Sequence, residues 1–303
     1  MDTKTRAITP HVLEQSIHPD TTLGAVHLNI SDMNKSLQFY QEVLGFKVRY
    51  RKGDTAYLGA GKADILVLTE RHGAVLPRFA TGLYHFAVLV PSRLELARSL
   101  RRLVETEYPL QGFADHLVSE AIYLADPDGN GIEVYRDRPR AEWYDAQGKI
   151  RMASDPLDVR GLLAELEGAD AAWRGFDAAT KLGHMHLQVS NVGAAQEFYT
   201  RILGFDLIMR YGPSAAFVSA GGYHHHIGMN TWNSAGAPPP PPESIGLRYF
   251  VTRLPNLEEL GKVLDRVHAA GISTEEQDEG VLVRDPSQIG MILTAPSTTA
   301  EPT

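Results

Sequence analysis

The chain of 303 residues contains no cysteine. This absence excludes disulfide scaffolds, thiolate zinc sites, iron–sulfur clusters and cysteine nucleophiles. A bound metal would need nitrogen and oxygen ligands instead, and 12 histidines and 37 acidic residues are available to supply them. The histidines are therefore the residues to follow along the sequence.

Positive net charge and long hydrophobic runs are also missing. The 29 basic and 37 acidic residues give a formal charge of -8, which argues against a protein that grips phosphate backbones. Residues 1–24 lack the apolar segment of a signal peptide, and no run approaches the roughly 20 apolar residues of a membrane span. We therefore expect a cytoplasmic protein with no nucleic acid or membrane as partner.

An internal repeat organises the chain. Residues 24–46 read GAVHLNISDMNKSLQFYQEVLGF and residues 183–205 read GHMHLQVSNVGAAQEFYTRILGF. They share His-Leu, Phe-Tyr and Leu-Gly-Phe at one constant offset of 159 residues. Such self-similarity indicates a duplication, and the length also fits two domains of about 100–200 residues each.

Each half contains a β-α-β-β-β pattern twice. Alternating apolar residues predict a first strand, helical spacing predicts a helix after it, and short alternating runs separated by glycine predict three more strands. Ser31 and Ser190 are the N-cap candidates of the first helix in each half, and Gly45 and Gly204 are its C-cap candidates. The sequence therefore predicts an α+β fold of four βαβββ modules paired into two tandem barrel-like domains.

The predicted boundaries follow the repeat. Residues 20–136 form an N-terminal domain of modules one and two, and residues 179–296 form a C-terminal domain of modules three and four. Residues 137–178 form a linker with a short helix between them. The run Pro238 to Pro242 is expected to be an extended connector, because proline disrupts helices and inner strands.

Three residues in the first half are candidate metal ligands. His27 and His85 lie on the first strands of modules one and two, and Glu133 lies on the last strand of module two. A lone histidine on a strand is more often a packed or surface residue. Here two histidines lie at equivalent places in the modules, and an isolated glutamate between apolar residues would be costly to bury, so a metal site is favoured. Two neutral imidazoles and one carboxylate are the facial triad of non-heme Fe(II), and Mn(II) fits the same ligands.

With these residues the sequence resembles the vicinal oxygen chelate superfamily, also known as the glyoxalase/bleomycin resistance/dioxygenase superfamily. Within it, the chain is similar to two-domain type I extradiol ring-cleaving dioxygenases of the catechol 2,3-dioxygenase kind. The resemblance covers roughly residues 20–135 and 180–295 and implies that His27, His85 and Glu133 bind the metal. It also implies that His116 and Tyr123, which lies ten residues before Glu133, face the substrate.

Two departures from the family pattern matter. In the second half His186 matches His27, but Tyr249 stands where His85 does and Ile292 where Glu133 does. The resemblance therefore implies that the N-terminal domain holds the metal. The family also carries an acid–base histidine late in the first module of its catalytic domain, and the matching place here offers only Asp64 and, just beyond it, His72.

The remaining histidines receive structural interpretations. His224, His225 and His226 lie in the second half, where strand alternation would send the middle ring to the opposite face. We expect a structural or interface role for them, with a second metal bound together with His186 as the alternative. The histidines without a supporting pattern, which we expect at the surface or in packing, are His11, His18, His184 and His268.

The resemblance implies a metal-dependent dioxygenase, with Fe(II) first and Mn(II) second, that opens a catechol-like or hydroquinone-like ring with O2. One alternative is a glyoxalase-like enzyme or thiol transferase of the same superfamily. Such sites often recruit a fourth ligand from the last strand of module one, where Ile65 to Leu68 are all apolar, although Glu70 is close. The other alternative is a non-catalytic binding protein, and a homo-oligomer is left open.

Overall fold

The structure, a computed structural model, describes residues 16–296. Module one contains β1 (Thr22–Ile30), α1 (Met33–Gln38), β2 (Lys47–Lys52), β3 (Thr55–Gly59) and β4 (Leu66–Glu70). Module two contains β5 (Gly82–Leu89), α2 (Arg93–Glu105), β6 (Leu110–Asp115), β7 (Ser119–Ala125) and β8 (Gly131–Asp137). The linker contains a 3₁₀ turn (Arg140–Glu142) and α3 (Val159–Ala164).

The second half repeats this order. Module three contains β9 (Lys181–Gln188), α4 (Val192–Glu197), β10 (Asp206–Tyr211), β11 (Ala215–Ser219) and β12 (Ile227–Asn230). Module four contains β13 (Gly246–Arg253), α5 (Leu257–Ala269), β14 (Glu275–Gln277), β15 (Gly280–Arg284) and β16 (Gly290–Thr294). The predicted α+β fold of four βαβββ modules is thus confirmed. No helix among residues 16–296 has the length and apolar character needed to cross a membrane.

The caps of the first helix in each half differ from the prediction. Asp32 and Asn191, not Ser31 and Ser190, accept the N–H three residues further along the chain. Both residues adopt the extended backbone that an N-cap requires, so their short side chains reach that N–H. The serine in each half lies one residue before the helix cap.

Modules pair through their first strands into two eight-stranded sheets. In each module the first strand lies parallel to the last strand, and the other two strands follow outward. Strand β1 pairs antiparallel with β13, which joins modules one and four in what we call the 1–4 sheet. Strand β5 pairs antiparallel with β9, which joins modules two and three in the 2–3 sheet.

This pairing differs from the predicted division at residues 137–178, which combined module one with two and module three with four. The physical reason is that all four first strands carry a similar apolar pattern. This pattern therefore does not specify which first strand pairs with which. This pairing matters for function, because the 2–3 sheet brings together side chains from one module of each half.

Two equivalent hydrogen bonds tie together the modules that are neighbours in sequence. Tyr40 Oη donates to Asp126 Oδ2 at 2.8 Å, and Tyr199 Oη donates to Asp285 Oδ2 at 3.3 Å. All four side chains are buried and the pairs differ by the repeat offset of 159 residues. Module one therefore contacts module two, and module three contacts module four, although each pair is split between the two sheets.

Asp285 provides a prediction on stability. Burial raises the pKa of Asp285 from 3.8 to about 6, against the opposing hydrogen bonds from Ile289, Ser287 and Tyr199. The folded carboxyl therefore holds its proton more tightly than the unfolded one, and this contribution to stability is lost as the pH rises through 6. We expect Asp285→Asn to raise the free energy of unfolding at pH 8 by up to about 3 kcal/mol, with no gain below pH 4.

Urea unfolding between pH 4 and pH 8 measures this effect. Asp126→Asn is the matched control, because Asp126 Oδ2 accepts hydrogen bonds from both Tyr40 and the Asn130 amide. An amide nitrogen in place of that oxygen would face the donor of Asn130, so the gain should be much smaller. Equal stability of Asp285→Asn and the parent at pH 8 would contradict the prediction.

Candidate functional site

The site lies where three neighbouring strands of the 2–3 sheet place side chains in one row. Ala87 on β5 is in register with Glu133 on β8 at one side and with His184 on β9 at the other. Residues in register across a sheet point to the same face, and so does His85, two residues before Ala87. The small side chain of Ala87 leaves the space in which the longer side chains on either side of it meet.

Glu133 contacts both histidines. Its Oε2 lies 3.0 Å from His85 Nε2 and 3.1 Å from His184 Nε2. The three side chains are at most 8% exposed. Among residues 16–296 they are the only group of three such side chains whose donor atoms all lie within 4.8 Å of one another.

The donor set fits a metal ion. His85 Nε2 is buried and has no hydrogen-bond partner with suitable geometry within the described part of the chain, although it is 3.0 Å from the carboxylate. A buried nitrogen without a hydrogen bond is costly unless something else engages its lone pair. Two imidazoles and one carboxylate on one face are suited to a divalent ion with open coordination positions.

The electrostatics keep these groups ready to bind a cation. Burial lowers the pKa of His184 to about 4, so the imidazole is neutral at pH 7. Burial by itself would raise the pKa of Glu133, but the contacts with His184 and His85 hold it well below its usual range. A neutral nitrogen donor and an ionised oxygen donor are the forms that metal binding requires.

Tyr123 and His116 lie beside this row. Tyr123 on β7 is in register with Glu133, and its hydroxyl is 2.6 Å from His116 Nε2. His116 Nδ1 donates to the Ala153 carbonyl at 2.7 Å. With its ring proton on Nδ1, His116 accepts a hydrogen bond at Nε2 from the hydroxyl of Tyr123. Burial, reinforced by the charge of Glu133, raises the pKa of Tyr123 well above its usual range, which keeps the hydroxyl protonated.

His225 lies on the opposite side of the row. Its ring is 4.1 Å from that of His184, centroid to centroid, and it lines the same cavity. Its Nδ1 is 2.8 Å from Nδ1 of His224, whose Nε2 is 2.9 Å from Asp137 Oδ1. The three histidines lie in a bend before β12 rather than on the predicted strand, and His225 lines the cavity whereas His224 and His226 do not.

A cavity of about 1770 Å³ opens onto these groups. It exceeds the 300–1,000 Å³ of most small-molecule sites and therefore has room for a substituted aromatic compound. Tyr84, Phe217 and Trp232 form an aromatic wall near the histidines. Pro239 to Pro242, which belong to the connector between modules three and four, line the cavity as well.

The structure does not bring His27 to this row. It lies in the 1–4 sheet, where its Nε2 is 3.1 Å from Glu279 Oε2 and its ring stacks on Tyr249 at 4.2 Å. Module one does not pair with module two, so His27 and His85 belong to different sheets. The equivalent centre of the 1–4 sheet is apolar, with Val251, Leu282 and Ile292 buried together.

His184 lies in the row at the place that was predicted for His27, and it is buried against Glu133 rather than at the surface. A signal in the sequence could have identified it. His85 and His184 both lie five residues before a buried valine, Val90 or Val189. His27 lies only three residues before Ile30, so it is displaced by one pleat, about 7 Å along the strand.

The other candidates lie away from the row. Asp64 contacts Arg49 and Tyr50 near the edge of the 1–4 sheet, and His72 is exposed beside Glu70. Both belong to module one. The module that pairs with module two is module three, so the place equivalent to Asp64 is the segment before β12, which contains His225. His11 lies outside the described residues.

His186, the residue that matches His27, lies two residues beyond His184. It is in register with His85, and its Nε2 accepts a hydrogen bond from the Asn230 amide at 3.0 Å. Burial lowers its pKa well below the usual range, so the ring is neutral. Together with Tyr84 and Trp232 it forms part of the aromatic wall rather than a second group of ligands.

Comparison with known proteins shows the family to which the chain belongs. Residues 22–134 and 181–287 match the Glyoxalase/Bleomycin resistance protein/Dioxygenase superfamily. The chain is 49% identical over 276 residues to "Catechol-2,3-dioxygenase" of Bacillus subtilis (strain 168), covering 89% of this chain and 96% of the relative. It is 31% identical over 115 residues to "Lactoylglutathione lyase" of Neisseria meningitidis serogroup A, covering 35% of this chain and 83% of the relative.

Among solved structures, that of a putative dioxygenase from Bacillus subtilis subsp. subtilis str. 168 superimposes with a TM-score of 0.61. The match covers 93% of this chain and 87% of the other at 14% identity, so it shows the fold alone. The family match spans most of both halves, and the 49% identical relative spans nearly the whole chain. The chain therefore belongs to the Glyoxalase/Bleomycin resistance protein/Dioxygenase superfamily, and the predicted relationship to extradiol dioxygenases of the catechol 2,3-dioxygenase kind is confirmed.

Proposed function

We propose that this protein is a metal-dependent extradiol dioxygenase that uses O2 to open the ring of a catechol-like or hydroquinone-like aromatic diol. The observation that carries the proposal is the row of His85, Glu133 and His184, which faces one cavity together with Tyr123 and His225. The 49% identity to a catechol-2,3-dioxygenase over most of the chain supports the same reaction.

His85, His184 and Glu133 would hold the ion, with Fe(II) first and Mn(II) second among the candidates. Both metals accept two imidazoles and a carboxylate and leave positions open for small ligands. A bound ion of this kind supplies the Lewis acidity and the electron path that the reaction of a diol with O2 needs. His27 is not part of the proposed ligand set.

The proton chemistry is assigned to side chains around the row. His225, which lines the cavity, would accept a phenolic proton from the substrate. Burial lowers its pKa well below the usual range, so the ring is neutral before this transfer. Tyr123, held by His116, would form a hydrogen bond with a substrate oxygen. Insertion of both atoms of O2 next to the diol opens the ring to a semialdehyde-type product.

Three ligands favour the dioxygenase over a glyoxalase-like enzyme. The place for a fourth ligand is the last strand of the module that pairs with module two, which is β12. Its residues Ile227–Asn230 read IGMN and include no carboxylate or histidine. Glu70, which left some room for a fourth ligand in the sequence, lies in the 1–4 sheet.

A direct assay tests the proposal. Protein loaded anaerobically with Fe(II) or Mn(II) to one ion per chain is mixed with catechol, methylcatechols or alkylated hydroquinones in the presence of O2. We expect one O2 consumed per ring opened, together with a new absorbing product. Protein loaded with redox-inert Zn(II) is the control and should consume none. No uptake with any diol by fully loaded protein would contradict the function.

A further inference from the structure

A chain of hydrogen bonds connects His225 to the end of a neighbouring strand. His225 Nδ1 is 2.8 Å from His224 Nδ1, and His224 Nε2 is 2.9 Å from Asp137 Oδ1. The His224 ring is completely buried, and the Asp137 side chain is 24% exposed. The chain therefore runs from the cavity, through a buried ring, to a carboxylate near the surface.

The chemistry of the three groups sets a direction along this chain. An ionised carboxylate only accepts hydrogen bonds, so His224 Nε2 carries a proton that it donates to Asp137. A neutral His224 then has a bare Nδ1, which accepts from His225 Nδ1–H. The proton of the neutral His225 ring is thereby placed on Nδ1, and Nε2 is left with a free lone pair.

We propose that Asp137 and His224 are positioning residues that hold His225 in the Nδ1–H tautomer, with Nε2 free to take a proton from a substrate in the cavity. This inference rests on the proposed function, in which His225 is the group that accepts the phenolic proton. Asp137 and His224 do not line the cavity, so they would act through His225.

Neighbouring aromatic side chains contact both Asp137 and His224. Tyr223 Oη donates to Asp137 Oδ2 at 3.0 Å and lies 2.7 Å from Tyr135 Oη, so the carboxylate is held from a second direction. The Trp143 ring packs against His224 edge to face at 5.2 Å, centroid to centroid. These contacts enclose the His224 ring, which is completely buried.

Strand β8 links these hydrogen bonds to the proposed metal site. Glu133, Tyr135 and Asp137 alternate along β8 and therefore point to one face of the 2–3 sheet. Glu133 contacts His85 and His184. Tyr135 packs against the ring of His184 at 4.8 Å, centroid to centroid, and Asp137 orients His224. One strand thus positions both a candidate ligand and the candidate base.

Asp137→Asn tests the inference. Tyr223 would continue to donate to the amide oxygen of the variant, so the amide NH2 would face His224 Nε2 and turn this nitrogen into an acceptor. The protons of both histidines would then shift, and His225 would carry its proton on Nε2. We expect kcat for diol cleavage to fall at least about 100-fold, with KM and metal content unchanged.

Nuclear magnetic resonance provides a readout that does not depend on activity. Long-range ¹H–¹⁵N spectra of metal-free protein with ¹⁵N-labelled histidine distinguish protonated from bare ring nitrogens. We expect His225 to carry its proton on Nδ1 in the parent and on Nε2 in Asp137→Asn, with signals assigned by comparison with His225→Gln. A proton on His225 Nε2 in the parent, or a doubly protonated His224, would overturn the inference.

Two further variants separate positioning from structure. Tyr223→Phe removes a hydrogen bond to the same carboxylate and leaves His224 bonded to it, so His224 and His225 should keep the tautomers of the parent. Asp137→Glu keeps a carboxylate and should restore the parent tautomers and part of kcat. If the spectra show the expected tautomers but no diol is cleaved, the positioning stands and the proposed function fails.

Discussion

Replacing Glu133 by glutamine is expected to remove the metal and the ring-cleaving activity together. The amide keeps the shape of the side chain and can still accept a hydrogen bond from His184, so the fold should persist, but the only charged donor of the row is gone. Mutation of a residue that only orients a ligand typically lowers metal affinity by about 10- to 100-fold, so loss of a ligand itself should lower metal affinity by roughly 100-fold or more. Metal content by elemental analysis and kcat/KM measure the effect.

His27→Gln is the matched control for that experiment. His27 also lies on a first strand and also contacts a glutamate at 3.1 Å, but it belongs to the 1–4 sheet. Metal content and activity should therefore stay within about threefold of the parent. Loss of metal in both His27→Gln and Glu133→Gln would return the site to the residues first predicted, and metal retained in Glu133→Gln would contradict both ligand sets.

Replacing His225 by glutamine is expected to separate metal binding from catalysis. His225 is not one of the three ligands, so metal content should not change, and glutamine can still bond to His224. A general base contributes about 10²- to 10⁴-fold to a rate, and kcat should fall by a factor in this range while KM changes little. Oxygen uptake at saturating diol measures kcat.

The neighbouring His226 supplies the control. Its Nδ1 accepts a hydrogen bond from the Ala220 backbone N–H at 3.1 Å, and the ring does not line the cavity. His226→Gln can keep that bond through its amide oxygen and should leave kcat within about threefold. Equal losses in the two variants would indicate that this segment supports the structure without taking part in proton transfer.

The sequence predicts the fold further than it predicts the assembly of the site. The repeat, the βαβββ order and the positions of α2 and α5 follow from periodicity and capping, which are local properties. Which first strand pairs with which is not local, because β1, β5, β9 and β13 carry similar apolar patterns. The pairing depends on the packing of whole modules, which no single segment encodes.

The site residues divide in the same way. His85, Glu133, Tyr123 and His116 all lie in module two, so their mutual placement depends only on spacing within one module, and the sequence places them near one another. His184 and His225 come from module three, and their relevance depends on the pairing of β5 with β9. The same pairing explains why Asp64 and His72 looked plausible as proton carriers and yet lie elsewhere.

The crossed pairing of the modules has a consequence for folding during synthesis. Strand β5 must wait about 100 residues for β9, and β1 must wait about 220 residues for β13. Such non-local contacts slow folding, because the entropy of closing a long loop is lost before the contact forms. Until the second half emerges, both inner strands of the first half expose an unpaired edge, and the nascent chain is most prone to aggregation in this interval.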